Sequence, residues 1–376
     1  MPELLAIPMA TSNTIEIYSG IARMAGKIWG TLHKAEQPSK TVVIVTHPAS
    51  NFMGHYLLEP LAARGVDAVG LTTRYLGNDS SLIMENCVLD IGAAVAFLRD
   101  RGYERVLLVG NSGGGGLAAL YQSQAEHPTI TATPAGDPVD LTAAHLPPVD
   151  GLISLMAHPG RALVYTDWLD PAILDEQDPT QRDPEFDLFD GSRTAPYDED
   201  FLVRYRAAQV ARNRRITAWV HDQLDELKRA EGPVKDLPFV IHGTAADPRF
   251  LDGTIDPSDR VPGTVWGTAE EANMMPATLG HYSSLRSWLS QWSIDESNCD
   301  GPRQLRHTSV PTLVMYGTAD QVCFPSYARM MYDAVPHERK RLVPVEGGTH
   351  YLQGQDEQIA FVADQVVSWI AEQLPA

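Results

Sequence analysis

Basic residues are scarce in this sequence of 376 residues. Its 29 Lys and Arg residues stand against 48 Asp and Glu residues, which gives a formal net charge of −19 at pH 7. Because nucleic acid binding needs a basic surface that neutralises phosphates, the composition argues against a DNA or RNA partner. The same charge disfavours binding to an anionic membrane surface. We interpret the acidity as a solubility feature rather than as a site for cationic substrates.

Cysteine and long apolar runs are scarce as well. Cys87, Cys299 and Cys323 are widely spaced, without a C-x-x-C motif or a Cys/His cluster, which favours a reducing compartment and predicts no metal site. No apolar run approaches the length that spans a bilayer, and the first residues lack the pattern of a signal peptide. We therefore expect a cytoplasmic protein without membrane insertion.

The most informative segment joins a predicted strand to a predicted helix through glycines. Val106–Val109 is apolar and β-branched, Gly110–Gly116 contains a single serine, Ser112, and Leu117–Tyr121 is typical of a helix. Glycines permit a strained turn around the serine, and the helix start offers N–H groups to an anion. A phosphate-binding loop or a purely structural turn are alternatives, but the Lys-Ser/Thr ending of a P-loop is missing. The pattern therefore favours a nucleophilic serine.

Strand and helix patterns alternate in both ends of the chain, which predicts a mainly parallel sheet with helices on both faces. The predicted strands are Thr14–Tyr18, Lys27–His33, Thr41–Thr46, Ala68–Thr72, Arg105–Val109, Gly151–Met156, Thr312–Tyr316 and Arg341–Val345. The predicted helices are about Tyr56–Arg64, Ser80–Arg99, Ser326–Ala334 and Glu357–Leu374.

The alternation stops between about Arg161 and His307, where the sequence is acidic and contains Asp-Pro pairs. Helices at about Asp198–Arg229 and Ser283–Trp292 and a short strand at Pro238–His242 stand out there. We predict an α/β core formed by residues 1–160 and 308–376, with residues 161–307 as a large, mostly helical cap. Ligands of open α/β sheets bind at the carboxyl ends of the strands, so an insertion at that edge would cover the site.

Two later strands complete a set of three reactive side chains. Thr312–Tyr316 leads to Asp320, and Arg341–Val345 leads to His350. Serine, carboxylate and histidine thus follow in chain order, each just after a strand of one inferred sheet. Imidazole can take the serine proton, and a carboxylate can hold the imidazole in the required tautomer. We therefore predict a triad of Ser112, His350 and Asp320.

The acidic member of the triad has a look-alike in Asp247. Both Asp247 and Asp320 follow an apolar run and a Gly-Thr-Ala segment. Asp320 follows the stronger strand pattern, and one helix and one strand separate it from His350, as in a βα unit. Pro248 and an irregular stretch follow Asp247, so we assign Asp247 to a turn in the insertion.

Three segments resemble those of the α/β-hydrolase superfamily: Gly110–Gly114, Tyr316–Asp320 and Gly348–His350. The resemblance covers about residues 14–158 and 310–374. It implies an eight-stranded sheet, hydrolysis through an acyl-enzyme, and an insertion between the sixth and seventh strands. It implies neither a cofactor nor a metal.

The segment after the third strand departs from the family pattern. Many members carry His-Gly-Gly or His-Gly-x there, with backbone N–H groups that help to form the oxyanion hole, whereas this chain has His47, then Pro48 and Ala49. Because Pro48 has no N–H group, we expect the donors to be the N–H groups of Gly113 and Ala49, with Ser50 or Asn51 as alternatives to Ala49. We interpret His47 as a structural residue rather than a second base.

The serine at the turn disfavours epoxide hydrolase and haloalkane dehalogenase chemistry, for which this superfamily uses aspartate. The predicted function is hydrolysis of a carboxylic ester of a bulky apolar or aromatic small molecule. A C–C bond hydrolase of a ring-cleavage product, an acyltransferase and a non-catalytic ligand-binding protein are alternatives, and a homo-oligomer is compatible with the sequence. Residues of the insertion that could line an apolar pocket are Trp168, Tyr197, Tyr205, Trp219, Trp266, Met274, Met275, Tyr282 and Trp288.

Overall fold

The computed structural model describes residues 1–10, 26–276 and 278–375. Its strands are β1 (Glu3–Pro8), β2 (Lys27–His33), β3 (Thr41–Thr46), β4 (Asp67–Leu71), β5 (Arg105–Ser112), β6 (Gly151–Ala157), β7 (Ile173–Asp175), β8 (Asp178–Arg182), β9 (Pro238–Val240), β10 (Tyr282–Ser284), β11 (Thr312–Gly317) and β12 (Lys340–Val345). Its α-helices are α1 (Leu58–Ala62), α2 (Met84–Asp100), α3 (Gly114–Glu126), α4 (Arg161–Trp168), α5 (Glu199–Ala230), α6 (Ala269–Met274), α7 (Leu285–Gln291), α8 (Gly301–Leu305), α9 (Pro325–Ala334) and α10 (Asp356–Gln373).

Eight strands form one sheet in the order β1-β2-β4-β3-β5-β6-β11-β12. β2 runs antiparallel to both of its neighbours, and all pairs from β4 to β12 are parallel. This confirms the predicted fold class, a mainly parallel eight-stranded sheet. Since parallel strands end at the same edge, the loops after β3, β5, β6, β11 and β12 meet there.

Helices cover both faces of the sheet, as predicted. Along β3, Val42 and Ile44 pack into a cluster with α2 and α3, whereas Val43 and Val45 pack into a second cluster with α1 and α10. The alternation follows from the period of two residues in a strand. A strand buried on both faces therefore shows an unbroken apolar pattern, which is why β3 was predictable.

The first strand differs from the prediction. β1 (Glu3–Pro8) pairs with β2 and was not predicted, because it is an edge strand in which only Leu5 and Ile7 are buried. The predicted strand Thr14–Tyr18 lies outside the described residues. No helix of the described residues has the length and apolar character needed to cross a membrane.

Two helix starts also differ, and tertiary contacts explain both. The helix predicted from Ser80 begins at Met84, because the Ser80 carbonyl instead accepts a hydrogen bond from the Ser284 N–H at 2.8 Å. The helix predicted from Ser283 begins at Leu285, because Tyr282–Ser284 instead forms β10 and pairs with β9. The Ser284 hydroxyl then caps α7 by accepting from the N–H of Ser287.

The insertion joins β6 to β11, which are neighbours in the sheet, and it contains the 32-residue helix α5. Several of its aromatic residues form a core of its own: Tyr165, Trp288 and Trp292 are buried against α5. Near the end of the predicted cap, Cys299 and Leu305 pack instead into the cluster around α2 and α3. The division into core and cap stays a prediction.

A buried ionic cluster surrounds Asp247, the look-alike of the predicted triad acid. Asp247 accepts from Arg206 at 2.7 Å and from Arg249 at 2.6 Å, and its side chain has no exposed surface. Arg249 also donates to Asp167 at 2.7 Å, and the Tyr327 hydroxyl of α9 donates to the same carboxylate. Asp247 therefore ties α5 to the segment around Arg249 within the insertion, and the cluster ties the insertion to α9.

Asp247→Asn should lower the free energy of unfolding by about 3 kcal/mol at pH 7, because it leaves the buried Arg249 and the partly exposed Arg206 without their shared carboxylate. Burial raises the pKa of Asp247, but Arg206 and Arg249 outweigh burial and hold the pKa at about 2. Since the folded pKa lies below the unfolded one, this stabilisation is present above about pH 4 and disappears as the pH falls towards 2.

Urea denaturation of the wild type and the variant at pH 7, 4 and 3 measures the effect. The difference between the two proteins should shrink at the lowest pH. Asp200→Asn, at the exposed start of α5, is the control and should have little effect. A difference that stays constant with pH would contradict the prediction.

Candidate active site

Ser112 ends β5 with a backbone φ of +53°, in the left-handed region that non-glycine residues rarely adopt. Gly113 follows it as the N-cap of α3. The segment is thus a sharp strand-to-helix turn with the serine at its apex. Strain of this kind is typical of functional sites, where the surrounding structure holds a residue in an unfavourable conformation.

The glycines of this turn are required by close backbone contacts. A Cβ atom on Gly110 would lie 2.2 Å from the carbonyl oxygen of Gly114, and one on Gly114 would lie 2.2 Å from the carbonyl oxygen of Thr46. The first turn of α3 therefore packs directly on the ends of β3 and β5. This packing holds Ser112 above the carboxyl edge of the sheet.

The structure brings the three predicted side chains together. The Ser112 Oγ lies 3.1 Å from the Nε2 of His350, and the Nδ1 of His350 lies 2.9 Å from the Oδ2 of Asp320. The Oδ1 of Asp320 accepts from the N–H groups of Val322 and Cys323, at 2.7 and 2.9 Å. These bonds hold the buried carboxylate so that its second oxygen faces the imidazole. Asp247 is bound to Arg206 and Arg249 instead.

The loop after β3 does not present free N–H groups in the way that the sequence analysis predicts. The Nδ1 of His47 accepts from the N–H of Ala49 at 3.1 Å and from that of Ser50 at 2.9 Å. Both N–H groups are therefore already hydrogen-bonded to an imidazole of the same loop. The expectation that Ala49 serves as an oxyanion donor stays a prediction, and this hydrogen bond argues against it. Gly113, the other predicted donor, lies at the start of α3.

A cavity of about 440 Å³ opens at Ser112 and His350. Loops of the sheet edge and residues of the insertion share its walls. Its apolar and aromatic lining consists of Phe52, Tyr56, Trp168, Val265, Trp266, Leu279, Val322 and Tyr351. A larger cavity of about 620 Å³ lies beside Trp219 and Phe239, but neither Ser112, Asp320 nor His350 lines it.

Two histidines beside the cavity are held neutral. Burial lowers the pKa of His47 well below its usual value and that of His158 to about 3, and the Arg161 guanidinium lowers both further. Arg161 is 2% exposed, and its Nη1 donates to the Oε1 of Gln291. Its Nε has no hydrogen-bond partner among the described residues. A buried positive charge with a free donor thus lies next to Ser112.

Sequence reasoning did not identify His158 or Arg161 as site residues. A weak signal was present for His158, which directly follows β6 at the same sheet edge as the predicted triad. Arg161 stands at the first position of α4, where an arginine is ordinarily solvated. Its burial under the insertion is a tertiary effect.

A metal site is the other chemistry to consider here. Among the described residues, one group of three metal-ligating side chains lies within 4.8 Å, and it consists of Asp320, Cys323 and His350. Asp320 and His350 already bind each other. Burial raises the pKa of the Cys323 thiol well above its usual value, and the Asp320 charge raises it further, whereas metal binding requires the thiolate. The group therefore fits a triad better than a metal centre.

The chain is similar to one protein family and to several solved structures. The family described as serine aminopeptidase, S33, matches residues 300–357, which include Asp320 and His350. No curated protein matches the chain by sequence. DcsB, solved in complex with a substrate analogue, superposes with a TM-score of 0.53 at 11% identity and covers 100% of both chains.

Two other solved structures are similar. The α/β-hydrolase GrgF from Penicillium sp. sh18 superposes with a TM-score of 0.52 at 10% identity, and covers 100% of both chains. Est1E from Butyrivibrio proteoclasticus has a TM-score of 0.48 at 12% identity, and covers 99% of both. At these identities the likeness concerns the fold. Its sheet order and its strand-to-helix turn give the chain the α/β-hydrolase fold.

Gly114→Ala tests the packing of the turn. The added methyl group meets the Thr46 carbonyl, so we expect a loss of about 1–3 kcal/mol in the free energy of unfolding, as in other overpacked sites. Gly232→Ala is the matched control, because a Cβ there meets no atom within 4 Å. Chemical denaturation of both variants measures the effect. Equal stabilities would show that the backbone contact at Gly114 imposes no constraint.

Proposed function

We propose that this protein is a serine hydrolase that cleaves carboxylic esters, with Ser112 as nucleophile, His350 as general base and acid, and Asp320 as the group that orients His350. The observation that carries the proposal is the continuous chain of hydrogen bonds from Ser112 Oγ through the two nitrogens of His350 to the Asp320 carboxylate. Each link has a length suited to proton transfer or orientation.

The geometry supports a two-step reaction. His350 Nε2 takes the Ser112 proton as Oγ attacks the ester carbonyl, which forms a tetrahedral intermediate with a negatively charged oxygen. The intermediate collapses as His350 returns the proton to the leaving alcohol, which departs and leaves an acyl-enzyme. Water, activated by the same imidazole, then releases the acid and regenerates Ser112. Asp320 stabilises the imidazolium in both steps.

The cavity walls support a bulky apolar or aromatic substrate. Trp168 and Trp266 come from the insertion, whereas Phe52 and Tyr56 come from the loop after β3. A volume of about 440 Å³ suits a small molecule rather than a polymer. We propose in addition that residues 161–307 act as the cap of this site, because they supply Trp168, Val265, Trp266 and Leu279 to its walls.

A C–C bond hydrolase of a ring-cleavage product is the second candidate, and one observation favours it. Arg161 places a buried positive charge beside Ser112, and its nearest carboxylate oxygen, on Asp79, is 3.5 Å away. A substrate that carries a carboxylate would complement that charge. Turnover measured on a panel of neutral aryl esters and on acidic C–C substrates distinguishes the two candidates.

Ser112→Ala should retain the fold and lower kcat by several orders of magnitude, on the order of 10⁶, because no other group replaces the nucleophile. A fluorophosphonate probe should label the wild type on the peptide that contains Ser112 and should fail to label the variant. Labelling of another serine, or substantial turnover by the variant, would overturn the proposed function.

Asp320→Asn should lower kcat by about 10⁴, because an amide cannot hold His350 in the tautomer that accepts the Ser112 proton. Asp247→Asn, measured on the folded fraction, should change kcat by less than about tenfold, since Asp247 binds arginines and not His350. Steady-state kinetics on one ester ranks the two variants. The reverse ranking would show that the acid of the triad is misassigned.

A further inference from the structure

We propose that the imidazole of His47 supplies the second donor of the oxyanion hole, through its Nε2–H group and in place of a backbone N–H of the loop after β3. This inference rests on the proposed function, since an oxyanion forms only if Ser112 attacks a carbonyl. It replaces the expected Ala49 donor by a side chain. Three features carry it: the tautomer of His47, the position of its Nε2, and the anchoring of its loop.

The hydrogen bonds at Nδ1 decide the tautomer of His47. Two N–H groups, those of Ala49 and Ser50, point at Nδ1 from 3.1 and 2.9 Å, so this nitrogen must accept and can carry no proton. A neutral imidazole then carries its proton on Nε2. Burial and the nearby Arg161 charge both oppose a second proton. His47 is therefore a donor at Nε2 and has no free lone pair with which to act as a base.

The Nε2 of His47 lies next to the nucleophile turn. A Cβ atom built on Gly113 would be 3.0 Å from it, and His47 lines the same cavity as Ser112 and His350. Gly113 is the residue whose N–H is the other predicted donor. The side-chain donor and the residue of the backbone donor are thus neighbours in this cavity, and in this proposal both face the carbonyl oxygen of the attacked ester.

The loop that carries His47 is anchored from outside the site. The Thr73 hydroxyl donates to the Pro48 carbonyl at 2.5 Å, and the N–H of Gly77 donates to the Ala49 carbonyl at 2.9 Å. The imidazole is therefore held by bonds to its own loop, and the loop by bonds to the segment after β4. A donor fixed before the reaction costs little reorganisation when charge develops.

Arg161 adds a positive charge behind this wall. Its Nε would lie 3.4 Å from the same Cβ position on Gly113. A buried guanidinium there favours negative charge on a nearby substrate oxygen and disfavours protonation of His47. Arg161 thus acts as a positioning residue for the neutral donor state of His47.

His47→Leu and His47→Gln test the proposal. His47→Leu removes the donor, so kcat should fall by about 10²–10³ while KM changes by less than about threefold. His47→Gln retains an N–H donor and should recover at least about tenfold of that loss. Both variants should still react with a fluorophosphonate at Ser112. A kcat for His47→Leu within tenfold of the wild type would overturn the proposal.

Thr73→Val is the control for a merely structural role. It removes one of the two anchors of the same loop but keeps the His47 donor. We expect a much smaller loss of kcat than for His47→Leu. Equal losses in the two variants would show that His47 only supports the loop, and would overturn the proposal.

A second measurement uses the wild-type protein. With ¹⁵N-labelled histidine, NMR should show His47 protonated at Nε2 and unprotonated at Nδ1. Once a fluorophosphonate has modified Ser112, the Nε2 proton should move downfield, because it donates to the phosphoryl oxygen. An adduct on Ser112 without this shift would overturn the His47 proposal alone. Failure of Ser112 to form any adduct would overturn the proposed function, and this proposal with it.

Discussion

The parallel pairing of β11 with β6 is the constraint on which the site depends. It aligns Thr312–Met315 with Leu152–Leu155, although the whole insertion separates these two segments in the chain. Because β12 then pairs with β11, the loops that carry Asp320 and His350 leave the sheet beside the turn at Ser112. Pairing of β11 at any other edge would separate these groups. The apolar strands in the sheet centre thus supply the energy that assembles a polar site.

Burial sets the electrostatics of that site. His47 and His158 lose their charge because they lie in a low-dielectric region beside Arg161, whereas Asp320 keeps two backbone donors and an imidazole as partners. Two neutral histidines and one buried cation therefore line the same cavity as the serine. Such a site is suited to stabilising an anion that appears only during the reaction.

Much of the fold and part of the site were predictable from local patterns. The bounds of β2 and β3 match their predictions, because β2 alternates buried with more exposed residues and β3 is buried throughout. The turn at Ser112 was predictable since its glycines are required by contacts between adjacent elements. β1 was missed, because an edge strand with two buried side chains gives too weak a periodic signal.

The sequence by itself determined the strand-to-helix turn, the order of the reactive residues and the interruption of the sheet pattern, since each depends on residues close together in the chain. The sequence favoured Asp320 over its look-alike, and only the tertiary structure decided what Asp247 does instead, because Arg206 of α5 and Arg249 bind it. The tertiary structure also decided that Ala49 and Ser50 turn their N–H groups onto His47, and that Arg161 is buried beside Ser112. These outcomes depend on loop geometry and on contacts between distant segments, which no local pattern encodes.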